Sequence, residues 1–209
     1  MAATLSYDRL GVGKSAHPNG IQTVQIYYEI AQSISIAQTL RSGSFPNIPA
    51  FSTVVGVGHS YGSNLLTGLA SVSPDSFDQL VLTGFSNNVT MGPLGLAGFE
   101  STIANVAYPD RFPYGNDYLS TPSVSIDQKE FFHYPNYSQA ALDLFTTTKG
   151  EYTIGQVNSI AGTIALDRSN YTKPTFVITG NDDAPYCERR PPHDNGKGRA
   201  DNQARPTAL

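Results

Sequence analysis

One cysteine, Cys187, in 209 residues leaves no partner for an internal disulfide and no second thiol at metal-ligand spacing. Charge is sparse as well: Asp, Glu, Lys and Arg make up 14% of the chain and leave a formal net charge of −4. With a pI near 5.4, that balance argues against a nucleic-acid or anionic-membrane partner. No apolar run approaches the length of a membrane span. The opening residues, MAATLSYDRL, lack both a basic flank and an apolar core, so a signal peptide is not expected there. What remains is a globular chain of 22.4 kDa, most simply one domain with room for a sizeable core. Three Asn-x-Ser/Thr triplets, at Asn88, Asn136 and Asn170, match the two or three expected by chance at roughly this composition.

The first half alternates strand-like and helix-like segments. ATLSY reads as the end of a strand. Residues 21–40 space Ile26, Ile30, Ile34 and Ala37 as one helical face. FSTVVGVG is short, β-branched and apolar, which predicts a buried parallel strand. SNLLTGLASV then predicts a helix ending at Pro74-Asp75, and DQLVLTGF a second strand. This alternation implies an α/β fold with a mainly parallel sheet.

Residues 87–148 interrupt the rhythm with Gly, Pro and Asn, and a loop-rich insertion is expected there. Eight of the chain's 22 aromatics fall between positions 108 and 137: Tyr108, Phe112, Tyr114, Tyr118, Phe131, Phe132, Tyr134 and Tyr137. They read either as a satellite core or as an apolar lid over a site. KPTFVITGNDD predicts one more strand running into a loop. From 184 onwards the chain holds five of its 13 Lys and Arg residues, four prolines and no Val, Ile or Phe, a composition that predicts disorder.

Two glycine motifs compete for the chemistry. Gly13-Lys14-Ser15 ends like a phosphate-binding loop, but the glycine required five places earlier is Asp8. A carboxylate there opposes a polyanion by charge and by bulk. Gly58-His59-Ser60-Tyr61-Gly62 is a G-x-S-x-G pattern set between an apolar strand and an apolar helix. That context makes it a nucleophile elbow, with Ser60 exposed on a strained turn and Gly58 and Gly62 keeping side chains out of it. The helix N-terminus, foremost the Tyr61 N–H, would receive a developing oxyanion.

On these residues the chain resembles the α/β-hydrolase family. Asp8-x-x-Gly11-x-Gly13-x-Ser15 is similar to the loop after that family's fourth strand, so its glycines turn the chain rather than hold a phosphate. FVITGNDD resembles the strand whose following G-x-x-D supplies the triad acid, which aligns Gly180 and Asp183. The resemblance covers about residues 5–86 and 150–183, with the cap between them at about 87–148. It implies a hydrolase domain over 1–183 and a disordered tail over 184–209. It also implies ester or amide hydrolysis through an acyl-enzyme on Ser60, with Asp183 orienting a histidine and no cofactor or metal. The substrate expected is a small molecule, and the aromatic stretch favours one with an apolar acyl or alcohol group.

The family's oxyanion loop would precede this chain, and its histidine would follow an eighth strand that has no counterpart after Asp183. The resemblance thus implies a chain truncated at the N-terminus and altered at the C-terminus, as by a shifted frame or alternative splice. Exposed sheet edges and apolar surface would follow. His193 is left as the candidate base. His59 is expected to face the sheet packing, His17 to lie on the surface, and His133 to sit in the aromatic stretch. The rival expectation is an inactive remnant or small-molecule-binding pseudoenzyme. ATP is expected to leave the thermal unfolding midpoint unchanged; stabilisation by ATP in a melting experiment would restore the phosphate-loop reading.

Overall fold

The computed structural model describes residues 3–88 and 92–180, together with Asp183 and Tyr186. In chain order the elements are α1 (Ile26–Ser42), β1 (Val55–His59), α2 (Tyr61–Val72), β2 (Gln79–Thr83), α3 (Gly92–Gly98) and β3 (Thr102–Ile103). They continue with α4 (Ala104–Ala107), β4 (Tyr118–Ser120), α5 (Val124–Phe131), α6 (Gln139–Thr148), β5 (Tyr152–Thr153), α7 (Ile154–Ile160) and β6 (Thr175–Ile178). Two compact units result: Met1–Glu29 with Ala97–Ala161, and Ile30–Leu96 with Gly162–Leu209. Among the described residues no helix is long and apolar enough to cross a membrane.

The second unit holds the α/β architecture. Its sheet runs β1-β2-β6, parallel throughout, with Val55 opposite Gln79 and Leu80 opposite Thr175. The β-branched runs form these strands, and the apolar stretch after Ser60 forms α2, whose Leu65, Leu66, Leu69 and Ala70 are buried. Leu80 and Leu82 are buried within β2, and a Cβ on Gly56 would stand 2.9 Å from Leu80 and 3.1 Å from Leu66. The glycine therefore lets helix and strand close on each other. Gly68 does the same one layer out, where a Cβ would meet Ile30 at 2.7 Å. On α1, Ile30 and Ala37 are buried and Ile34 half-buried, as their spacing predicts.

Among the described residues the opposite face of this sheet is open. Val57 is 71% exposed, and Val55, Phe176 and Ile178 alternate with buried or half-buried neighbours to share that face. Parallel sheets are ordinarily covered on both sides. The expectation of a fully buried β1 is therefore corrected: it is buried on one face only. The expectation of exposed apolar surface is met on the other.

The first unit contains a small antiparallel sheet, β3-β4-β5, pairing Thr102 with Ser120 and Tyr118 with Thr153. ATLSY is not a strand, and the stretch expected to be loop-rich carries α3, α4, α5 and α6. Its punctuating residues start helices rather than abolish them. Ser123 and Ser138 cap α5 and α6 by accepting from Ile126 N and Ala141 N. Thr153 and Gln156 close a reciprocal capping box on α7.

The aromatic stretch divides. Phe112 and Tyr118 are buried in a cluster with Ala104, with Tyr108 and Tyr114 packed against it, as the satellite-core reading predicts. Phe131, Phe132, Tyr134 and Tyr137 are partly or fully exposed, with Phe131 and Phe132 against Phe145 at ring distances of 4.7 and 5.6 Å. His17 is not a surface residue. Its side chain is 11% exposed, stacks on Tyr114 at 3.7 Å and meets Glu151 at 2.6 Å. Glu29, with no exposed surface, accepts from Arg9 at 2.8 Å and from Gln156 at 2.9 Å.

Gly13-Lys14-Ser15 forms the turn its glycines allow. Gly11 and Gly13 have φ of 74° and 60°, and Asp8 closes the turn by accepting from Lys14 N at 2.9 Å. A Cβ on Gly13 would lie 2.6 Å from that carboxylate. Asp8 thus takes an amide that a phosphate loop would offer to its ligand.

Lys149 is a buried charge with five hydrogen-bond acceptors around it. Its Nζ donates to both oxygens of Asp127 at 3.0 and 2.8 Å, to Thr121 O and Oγ1, and to Tyr108 Oη. Asp127 is fully buried and Lys149 nearly so. A buried pair contributes little net stability, but stranding one member is costly. Lys149→Met is expected to destabilise the protein by about 3–5 kcal/mol in chemical denaturation, and adding Asp127→Leu to recover much of that loss.

Candidate active site

The site is built at the C-terminal ends of β1, β2 and β6. Ser60 joins β1 to α2 with φ 49° and ψ −112°, a left-handed conformation that L-residues rarely hold. Four bonds hold it there. Ser60 N donates to Thr83 O at 2.9 Å, and Ser60 O accepts from Ser63 N and Asn64 N at 2.9 and 3.2 Å. Ser63 Oγ donates to Thr83 O at 2.9 Å. A serine beginning a helix usually caps it with its own hydroxyl. Ser60 makes no such bond, so Oγ is not consumed by the helix it starts. Tyr61 opens α2, whose first turn carries no acidic residue to oppose its positive dipole end.

Of the two elbow glycines only one is demanded by space. A Cβ on Gly58 would stand 2.5 Å from Gly62 O and 2.7 Å from Ser63 N. A Cβ on Gly62 would meet nothing within 4 Å, so the expectation that Gly62 clears a crowded turn is corrected. Gly58 alone permits the chain to double back.

Asp183 follows β6. Its backbone N donates to Gly180 O at 3.2 Å, and Oδ2 accepts from Thr179 Oγ1 at 2.9 Å. The carboxylate borders the end of β2: a Cβ on Gly84 would lie 3.6 Å from Asp183 Oδ2 and 2.8 Å from the His59 ring. Gly84, at φ 51°, leaves that small space open between the two side chains.

His59 departs from expectation. It lies on the exposed face of the sheet, with Nδ1 2.9 Å from Thr83 Oγ1. Thr83 Oγ1 gives its one proton to Gly58 O at 3.1 Å, so it accepts from His59 Nδ1–H and leaves the ring lone pair on Nε2. His133 is exposed in the first unit, and His193 lies outside the described residues, as does Cys187. Among the described residues no cluster of His, Cys, Asp and Glu is arranged to hold a metal ion.

Two residues not singled out from sequence complete the neighbourhood. Asn64 Nδ2 donates to Ser60 O at 3.3 Å and to Tyr186 Oη at 2.9 Å. Tyr186 lies against Phe85 with ring centroids 6.0 Å apart. Burial pushes the Tyr186 phenol above its ordinary pKa; the Asn64 bond opposes this and the Asp183 charge adds to it. Asn64 stands one helical turn beyond Ser60, a spacing legible in sequence. Tyr186 carried no such signal.

Compared with known proteins, the chain matches no protein-family model and no curated sequence. The backbone strain at Ser60 gives a sign-definite prediction. Ser60→Gly is expected to raise stability by about 1 kcal/mol, relief of strain exceeding the entropy that glycine adds to the unfolded chain. Equilibrium denaturation beside Ser60→Ala, which keeps the strain, checks it.

Proposed function

We propose that the chain is a serine hydrolase of the α/β-hydrolase type, acting on ester or amide bonds through Ser60. The observation that carries this reading is a serine held at φ 49° between a parallel strand and a helix N-terminus, with its hydroxyl unused as a cap. Strain of this kind persists where the surroundings over-determine it, and it clusters at reactive positions.

In the reaction, Ser60 Oγ forms a bond to the substrate carbonyl carbon while a base takes the hydroxyl proton. The carbonyl oxygen becomes an oxyanion, stabilised by the Tyr61 N–H and the α2 dipole. Collapse breaks the bond to the alcohol or amine, which leaves with the proton, and water then releases the acid by the same steps in reverse. Asp183 serves to orient the base and to stabilise its cationic form. His193 is the candidate for that base. The substrate expected is a small molecule with an apolar acyl or alcohol group.

A second reading, an inactive remnant, is supported by the occupations of the other histidines. His17 is engaged by Glu151 and His59 Nδ1 by Thr83. Without a base the triad loses several orders of magnitude in rate, although the oxyanion site retains some catalysis. Slow labelling of Ser60 by a fluorophosphonate probe is therefore expected, read by intact mass and abolished in Ser60→Ala. Folded protein that yields no Ser60 adduct would favour the inactive remnant.

A further inference from the structure

The bond from Asn64 to Tyr186 joins two segments that catalysis would need in fixed relation. Asn64 Nδ2 carries two protons, and both are directed: one to the carbonyl of Ser60 at 3.3 Å, the other to Tyr186 Oη at 2.9 Å. Asn64 is 5% exposed, so these bonds are sheltered from competing water. Beyond the ring, Tyr186 N donates to Asp183 O at 3.3 Å, and Asp183 N donates to Gly180 O at 3.2 Å. The path therefore runs from the backbone of Ser60, through one amide nitrogen and one phenol, to the backbone of Asp183. Phe85, which follows the β2 end that Asp183 borders, packs on the same phenol ring.

From this we infer that Asn64 and Tyr186 are positioning residues, a tether that sets the Asp183 carboxylate relative to Ser60. The inference rests on reading Ser60 and Asp183 as nucleophile and acid. Neither tether residue touches the reacting atoms. Asp183 itself is held by Thr179 Oγ1 at 2.9 Å, which aims one oxygen but does not connect the acid to α2. The connection to α2 comes from Tyr186. Orientation of this kind matters because a displacement of about 1 Å at a catalytic group can cost roughly a hundredfold in rate.

Tyr186→Phe removes the hydroxyl and keeps the ring on Phe85, so the fold is preserved. The rate of fluorophosphonate labelling at Ser60, measured on the full chain from pH 5 to 9, is expected to fall about tenfold at its plateau. A misplaced carboxylate no longer favours the cationic base, so the acid limb of the profile is expected to move to lower pH. A purely structural role would leave that limb where it is. Asn64→Ala should have an effect that Tyr186→Phe does not deepen, because each removes the same link. Wild-type labelling matched by Tyr186→Phe in rate and profile would overturn the tether and leave the hydrolase reading standing. Absence of Ser60 labelling in the folded wild type would overturn the hydrolase reading, and the tether's catalytic role with it.

Discussion

The close approach of β1 to the first turn of α2 governs the second unit. With only hydrogen on Gly58, the Gly62 carbonyl can sit where a methyl group would clash at 2.5 Å. That approach forces the chain to reverse within one residue, and the residue that absorbs the reversal is Ser60 at φ 49°. Ser60 N, drawn to Thr83 O, fastens the turn to β2, and Ser63 Oγ fastens the helix to the same carbonyl. The strained geometry of Ser60 is therefore a consequence of packing rather than of any affinity of serine for that conformation.

The two units solve burial in different ways. In the second, apolar side chains of α2 cover one face of a three-stranded sheet and leave the other open. In the first, the sheet is short, and buried polar groups join the aromatic cluster of Phe112 and Tyr118. Lys149 gathers Asp127, Thr121 and Tyr108, Glu29 holds Arg9 and Gln156, and Glu151 holds His17. Each charge is paired and hydrogen-bonded, as burial requires. Such networks specify one arrangement, since any alternative would leave a charge unmatched in a low-dielectric interior.

Much of the second unit was legible because its signals are local. A β-branched run, an apolar helix with period 3.6 and a glycine before the serine describe β1, α2 and the turn between them without reference to distant residues. The glycine turn at Asp8 was readable for the same reason: positive φ at Gly11 and Gly13 is a backbone matter. Gly62 shows the limit. Its place in the pattern suggested crowding, yet the space around it is open, because crowding depends on what packs there and not on the letter. The short helices between 92 and 148 were missed since glycine and proline read as breaks, while Ser123 and Ser138 could have been recognised as caps.

The sequence by itself determined the parallel strands, the strained turn at Ser60 and the turn at Asp8, because sterics and periodicity act over a few residues. Only the tertiary structure decided which sheet face stays open, that His17 is enclosed by Glu151 and Tyr114, and that Asn64 meets Tyr186. Those partners stand 134 and 122 residues apart for the His17–Glu151 and Asn64–Tyr186 pairs. Contacts across such separations form only where many chain segments close together, so no single stretch of sequence carries their signature.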